Sequence, residues 1–239
     1  MRLIKVDNDP EPSLMNEKLS SLKLNTFTLA LFLSTFCLTS PSITSAQTSA
    51  NFGIASNYLW RGITQSNKHI ADSGGFDYAN NSGFYLGSWA STLSSGSYEL
   101  DLYGGFSTQI DNITYDMGII SYQYPNDNDY FNEAYFSIGQ AGFTANLAYT
   151  IGSQDNTGVA FSQGDLYFSL AYSKELQNGI ELGATIGRYD FDHTLGDDYS
   201  HLNLSASKSD FTLALDTTTG LEARNDTTLS LAYSKTFKF

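Results

Sequence analysis

The chain has 239 residues, 41% of them hydrophobic and only 15% charged, with 16 Tyr, 16 Phe, 20 Gly and 4 Pro. That makeup is enough for one core or one barrel and favours strands and turns over helices. A net charge of −13 excludes nucleic acid as a partner, because phosphate binding needs Lys and Arg. A single cysteine, Cys37, leaves no basis for an internal disulfide or a thiolate metal site.

Residues 1–46 read as a signal peptide. Lys18 and Lys23 precede an apolar run from Leu24 to Leu38, and Thr44-Ser45-Ala46 offers a small-residue site for cleavage after Ala46. Asn25, Thr26, Thr28, Ser34 and Thr35 interrupt the run, which is short for a membrane-spanning helix. The acidic stretch before Met15 makes Met15 an alternative start. Cys37 falls inside this segment behind the bulky Phe36, a poor context for lipid attachment. Residues 47–239 then form one domain without a thiol.

From Ala50 onward the pattern has period two. Ile113, Tyr115, Met117 and Ile119 alternate with Thr114, Asp116 and Gly118; Leu166, Phe168, Leu170 and Tyr172 alternate with Tyr167, Ser169, Ala171 and Ser173. About twelve such strands are predicted, near 50–61, 73–79, 83–90, 97–108, 113–124, 131–139, 142–151, 164–174, 180–189, 199–207, 211–217 and 227–239. Their connections alternate strictly. Tight turns at 80–82, 110–112, 140–141, 177–179 and 207–210 alternate with longer polar loops at 62–72, 91–96, 125–130, 152–163, 190–198 and 218–226. Both termini then lie on the short-turn side and the strand number is even, the arrangement of an all-β, antiparallel, up-and-down transmembrane β-barrel. No later segment is an uninterrupted apolar span, so insertion has to be by strands. The aromatics Tyr58, Trp60, Trp89, Tyr122, Tyr124, Tyr149, Tyr172, Tyr189, Phe237 and Phe239 sit near strand ends and read as interfacial girdles.

The last strand is the most telling. Leu229, Leu231, Tyr233, Phe237 and Phe239 take alternate positions, and Lys235 alone breaks the row. A bare aromatic strand would be an unprotected sheet edge, so it is expected to close a barrel against the first strand, near Ala50. Tyr233, Phe237 and Phe239 read as the C-terminal signal for outer-membrane assembly. The barrel-assembly machinery and periplasmic chaperones are then partners during biogenesis, and outer-membrane lipid afterwards. A lipid-facing Lys235 would cost about 2–4 kcal/mol at mid-membrane and less near the rim.

If the apolar faces meet lipid, the opposite faces line a lumen with Asn57, Arg61, Asp77, Glu99, Asp101, Asp116, Glu133 and Glu181. Enclosed carboxylates must be solvated or paired, and Arg61 alone cannot neutralise six. The expectation is a wet, acidic, cation-preferring pore for passive diffusion of small cations or polar solutes. The alternative is a closed, salt-bridged barrel that does not conduct and whose outer loops bind a partner or serve a structural role.

No enzyme is expected. His201, Asn203 and Ser205 share one strand face, but that face points into the barrel and no Gly-x-Ser-x-Gly elbow occurs. Asn126-Asp127-Asn128-Asp129 and Asp197-Asp198 lack the spacing and late Glu of a calcium loop. His69 and His193 have no second ligand nearby, so neither metal nor cofactor is assigned.

Three stretches, Ser56-Asn-Tyr-Leu-Trp-Arg-Gly-Ile-Thr-Gln-Ser66, Gly74-Gly-Phe-Asp-Tyr78 and Gly83-Phe-Tyr-Leu-Gly-Ser-Trp89, carry a resemblance. It continues through Glu99-Leu-Asp-Leu-Tyr-Gly-Gly105, Tyr115-Asp-Met-Gly118 and Tyr122-Gln-Tyr-Pro125. These resemble a proteobacterial family, the TorF-type porins, whose domain of unknown function has been called Gcw_chp. The likeness covers the first half of the mature chain well and the rest more loosely. It implies an outer-membrane barrel that passes small solutes, and it supplies no catalytic residues.

Overall fold

The computed structural model describes residues 46–154, 161–192, 198–220 and 226–239. Residues 1–45, which hold Cys37 and nearly all of the expected signal peptide, lie outside them, as do His193, Asp197 and parts of three long loops. The strands are β1 (Gln47–Ala55), β2 (Leu59–Trp60), β3 (Ile63–Thr64), β4 (Ala71–Ala79), β5 (Phe84–Thr92), β6 (Tyr98–Ile110) and β7 (Ile113–Tyr124). They continue with β8 (Asp129–Gln140), β9 (Phe143–Ser153), β10 (Leu166–Glu175), β11 (Ile180–Asp190), β12 (Tyr199–Lys208), β13 (Phe211–Thr219) and β14 (Thr227–Lys238). Apart from the small β2–β3 hairpin, all of them close into one antiparallel barrel in chain order, twelve strands among the described residues.

Closure takes the expected form. β14 runs antiparallel to β1 from Ser49↔Lys238 to Ala55↔Ala232, and the Phe239 N–H donates to the Thr48 carbonyl at 2.9 Å. β1 also pairs with β4 from Gln47↔Ala79, which puts the start of β1 and the end of β14 beside the tight turn at 80–83. The short turns have hairpin chemistry: Ala141 and Gly142 between β8 and β9 take φ 52° and 86°, the two positive values of a type I′ turn.

Alternation sorts the faces. Phe52, Phe76, Leu86, Leu102, Ile119, Leu170, Leu204 and Leu231 are exposed on the outer wall, the apolar band of a transmembrane barrel. Lys235 lies in that row, but its Nζ donates to Asp210 Oδ2 at 2.8 Å. Asp210 belongs to the β12–β13 turn, so the long stem carries the charge to the short-turn rim and away from hydrocarbon.

One expectation fails. β1 ends at Ala55 instead of running to Arg61, and residues 56–70 leave the wall and fold inward. The lumen at the long-loop end is aromatic, with Trp89, Tyr122, Phe131, Tyr167, Tyr189 and Tyr199 buried there, and Tyr58 and Trp60 bury themselves against it. Six of the ten expected girdle aromatics are therefore interior. Tyr58, Trp60, Trp89, Tyr122 and Tyr189 are buried and Tyr124 packs against them, whereas Tyr149, Tyr172, Phe237 and Phe239 stay on the outside.

Candidate functional site

The inward segment is built around a two-residue hairpin. Leu59↔Thr64 and Trp60↔Ile63 pair, and the tip residues Arg61 and Gly62 take φ 48° and 83°, again a type I′ turn. Glycine is required at the second position, because a Cβ there would lie 2.7 Å from His201 Cβ and 2.8 Å from Thr218 Cγ2. At the base, Ser66 Oγ accepts from the Tyr58 N–H at 2.9 Å, and Asn57 Oδ1 accepts from the Thr64 hydroxyl at 2.6 Å and the Lys68 N–H at 3.1 Å. Outside the barrel, Lys68 pairs with Asp226; this hydrogen bond holds the Asp226 carboxyl below the usual Asp range.

The hairpin delivers Arg61 into the lumen. Its two terminal nitrogens donate to Glu133 Oε1 and Oε2 at 2.7 and 2.6 Å. The guanidinium lies 4.0 Å from the Tyr167 ring centre, 4.4 Å from Trp60 and 5.3 Å from Tyr189. Tyr189 also donates to Glu133, at 3.1 Å. The ion pair is nearly free of solvent, with side chains 8% and 1% exposed. Such a bidentate, ring-sandwiched pair fixes the tip in register and orientation.

The remaining carboxylates divide by what satisfies them. Glu99 accepts from the Tyr58 hydroxyl at 2.7 Å, Asp116 from Tyr85 at 2.7 Å, and Asp77 from Tyr103. Asp216, which sequence reasoning missed, accepts from Asn203 Nδ2 at 2.9 Å; its place next to the outward Leu215 was the available signal. Asp101 is fully buried, and neither of its oxygens has a hydrogen-bond partner. Glu181 stands apart, half-buried near the short turns and registered opposite Glu175. Of the expected lumen residues, Arg61, Glu99, Asp101 and Glu133 thus gather around the hairpin, with Asp77 and Asp116 on the tyrosine-lined wall. His201 bonds Tyr167 through Nε2 at 2.9 Å, and Asn203 is engaged with Asp216, so the His201–Asn203–Ser205 row does not assemble as a nucleophile, base and orienter.

Cross-strand pairs shape this wall. Tyr103, Tyr85 and Tyr135 lie opposite Gly87, Gly105 and Gly118, and a Cβ on each glycine would come within 2.5 Å of the tyrosine. Each ring lies across the glycine on the neighbouring strand. A cavity of about 60 Å³ remains under the hairpin, lined by Arg61, Tyr103, Tyr122, Glu133, Asn146 and Ser169 among others, space for a few waters. On the outside, Tyr233 packs against Phe211 with ring centres 5.1 Å apart, and Phe237 and Phe239 are exposed at the short-turn end.

A family model described as a bacterial protein of unknown function (Gcw_chp) matches residues 40–233. Nothing among curated protein sequences matches. Among solved structures, the chain resembles a KdgM porin at 10% identity and TM-score 0.52, covering 80% of this chain and 99% of that one. It also resembles a chain from a study of the in-meso crystallisation of membrane proteins, at 10% identity and TM-score 0.54, with 81% and 84% covered. At that identity the likeness is one of fold.

Proposed function

This chain belongs to the Gcw_chp family, and we propose that it is an outer-membrane pore for passive diffusion of small solutes, narrow and cation-preferring, closed in the present conformation by its own inward hairpin. The observation that carries this reading is the charge of the lumen. Asp77, Glu99, Asp101, Asp116, Glu133 and Asp216 lie on strand positions alternating with the apolar outer face, and Arg61 is the one buried Lys or Arg among the described residues. Carboxylates at a constriction replace part of a cation's hydration and repel anions. Solutes pass when residues 56–70 shift from the outer end. Tyr233, Phe237 and Phe239 serve the assembly machinery at the periplasmic rim.

Single-channel recording of the refolded protein in planar bilayers tests the reading. Cation-selective openings are expected, and a silent membrane or anion selectivity would overturn it. The packed hairpin and the small cavity beneath it favour one other reading, a non-conducting barrel whose outer loops bind a partner. Shortening residues 152–163 to a tight turn would then abolish that binding and leave insertion intact.

A further inference from the structure

Each lumen carboxylate near the hairpin has a side-chain donor except Asp101. Tyr58 serves Glu99, Tyr103 serves Asp77, Tyr85 serves Asp116, Arg61 serves Glu133 and Asn203 serves Asp216. Asp101 is 0% exposed with both oxygens unpartnered. It sits two residues from Glu99 on the same inward face of β6, with Glu133 as a further charged neighbour. Burying a carboxylate without a donor costs several kcal/mol, and a second carboxylate beside it raises that cost. The hydrogen bonds of the described residues leave this position unsatisfied.

A second orphan stands directly across the strand pair. Trp89 is registered opposite Asp101; it is buried, and its indole Nε1 has no acceptor. On the other side Tyr122 is registered opposite Asp101, and Tyr58 meets Trp89 edge to face, ring centres 5.4 Å apart. The position therefore combines two carboxylates with the rings of Trp89, Tyr122 and Tyr58. Among the described residues no three acidic, His or Cys side chains converge as a metal would need. Carboxylates backed by aromatic faces suit a cation that brings its own N–H donors and a short apolar body.

We propose that Asp101 and Glu99 form a lumen binding site for the ammonium group of a small protonated amine, seated against Trp89 and Tyr122. The ammonium donates to both Asp101 oxygens and to Glu99, where it displaces the Tyr58 hydroxyl. The proposal names a solute class for the pore reading and rests on that reading for its role in transport; binding itself needs no conduction.

Calorimetry of the full barrel in detergent micelles with n-butylammonium chloride tests it, alongside block of potassium current by the same amine in bilayers. Saturable binding is expected in the native protein, about ten- to a hundredfold weaker in Asp101→Asn and weakened also in Glu99→Gln. Asp111→Asn, in the exposed β6–β7 turn, should bind as the native protein does, and heat-modifiable gel mobility confirms that each variant is folded. Absence of binding to the native barrel, or equal binding by Asp101→Asn, overturns the site. A carboxylic-acid C=O infrared band lost in Asp101→Asn, without amine binding, also overturns it and makes a proton the missing partner. Binding without any channel current would leave the site standing and refute the pore instead.

Discussion

Replacing Glu133 with Gln should release the hairpin from the lumen. The substitution keeps the shape but removes the charge that faces Arg61 across 2.6 and 2.7 Å and turns one of the two accepting oxygens into an amide donor. Both side chains are almost wholly buried, a setting in which removing one partner of an ion pair costs about 3–5 kcal/mol, because the other charge is left uncompensated. Arg61 would retain the Tyr167 and Trp60 faces, worth up to about 2 kcal/mol for a desolvated cation, but those contacts exist before and after the change and do not offset the loss. At about 1.4 kcal/mol per decade, the ratio of seated to released hairpin falls by roughly two to four orders of magnitude. Ser66 is 1% exposed, so Ser66→Cys, made together with Cys37→Ser, places a unique thiol that maleimide reaches only when the hairpin leaves. Labelling should accelerate about a hundredfold or more in the Glu133→Gln background, with more frequent channel openings. The double change Arg61→Leu, Glu133→Leu should restore slow labelling, since an apolar pair tolerates burial. Labelling within about twofold of the parent in a folded Glu133→Gln barrel would refute the ion pair as the latch and leave closure to aromatic packing.

Gly62→Ala should release the hairpin although Arg61 and Glu133 are both unchanged, because the left-handed backbone and the contacts at 2.7 and 2.8 Å both oppose a side chain; the same thiol assay reads it, and unchanged labelling would mean that the tip adapts. Deleting Phe239 removes an exposed aromatic and a main-chain bond to Thr48, and should lower the amount of heat-modifiable barrel in cell envelopes several-fold; an unchanged amount would end the assembly role. Asp226 titrates below the ordinary Asp range because Lys68 hydrogen-bonds its charged form. The loop tie is therefore fully present above the ordinary carboxylate pKa and is lost as pH falls through the depressed one. Carboxyl carbon NMR should show the midpoint moving up in Lys68→Met; an unmoved midpoint would rule out Lys68 as the cause.

The barrel was legible because its signals are local. Period two marks each strand, turn residues mark each short connection, and the alternation of loop lengths forces an even count and a β1–β14 seam. The inward hairpin was not. Tyr58, Trp60 and the residues between them fit a continuing strand as well as a hairpin, and what decides is the aromatic lining they meet, contributed by β5, β7, β8, β10, β11 and β12. The girdle error, by contrast, was avoidable. Tyr122 shares parity with Asp116, and Trp89 is two residues from Gly87 on the lumen face, so nearness to a strand end was given weight that belonged to parity. The same rule recovers Asp216. That Asp101 alone lacks a donor depends on which tyrosine reaches which carboxylate across the barrel, and no linear pattern carries that.

The glycines opposite Tyr103, Tyr85 and Tyr135 have a consequence for what such a barrel can admit. Strand number and tilt set the backbone radius, so the clear passage is decided by how far side chains lean from the wall. With nothing but a hydrogen at Gly87 and Gly105, the two rings lie along the wall and carry their hydroxyls sideways to Asp77 and Asp116. A methyl group at either glycine would tilt its ring toward the axis, narrowing the bore and stripping a carboxylate of its donor in one step. Calibre and charge are therefore a single inherited trait in this lumen: a lineage that changes one changes the other.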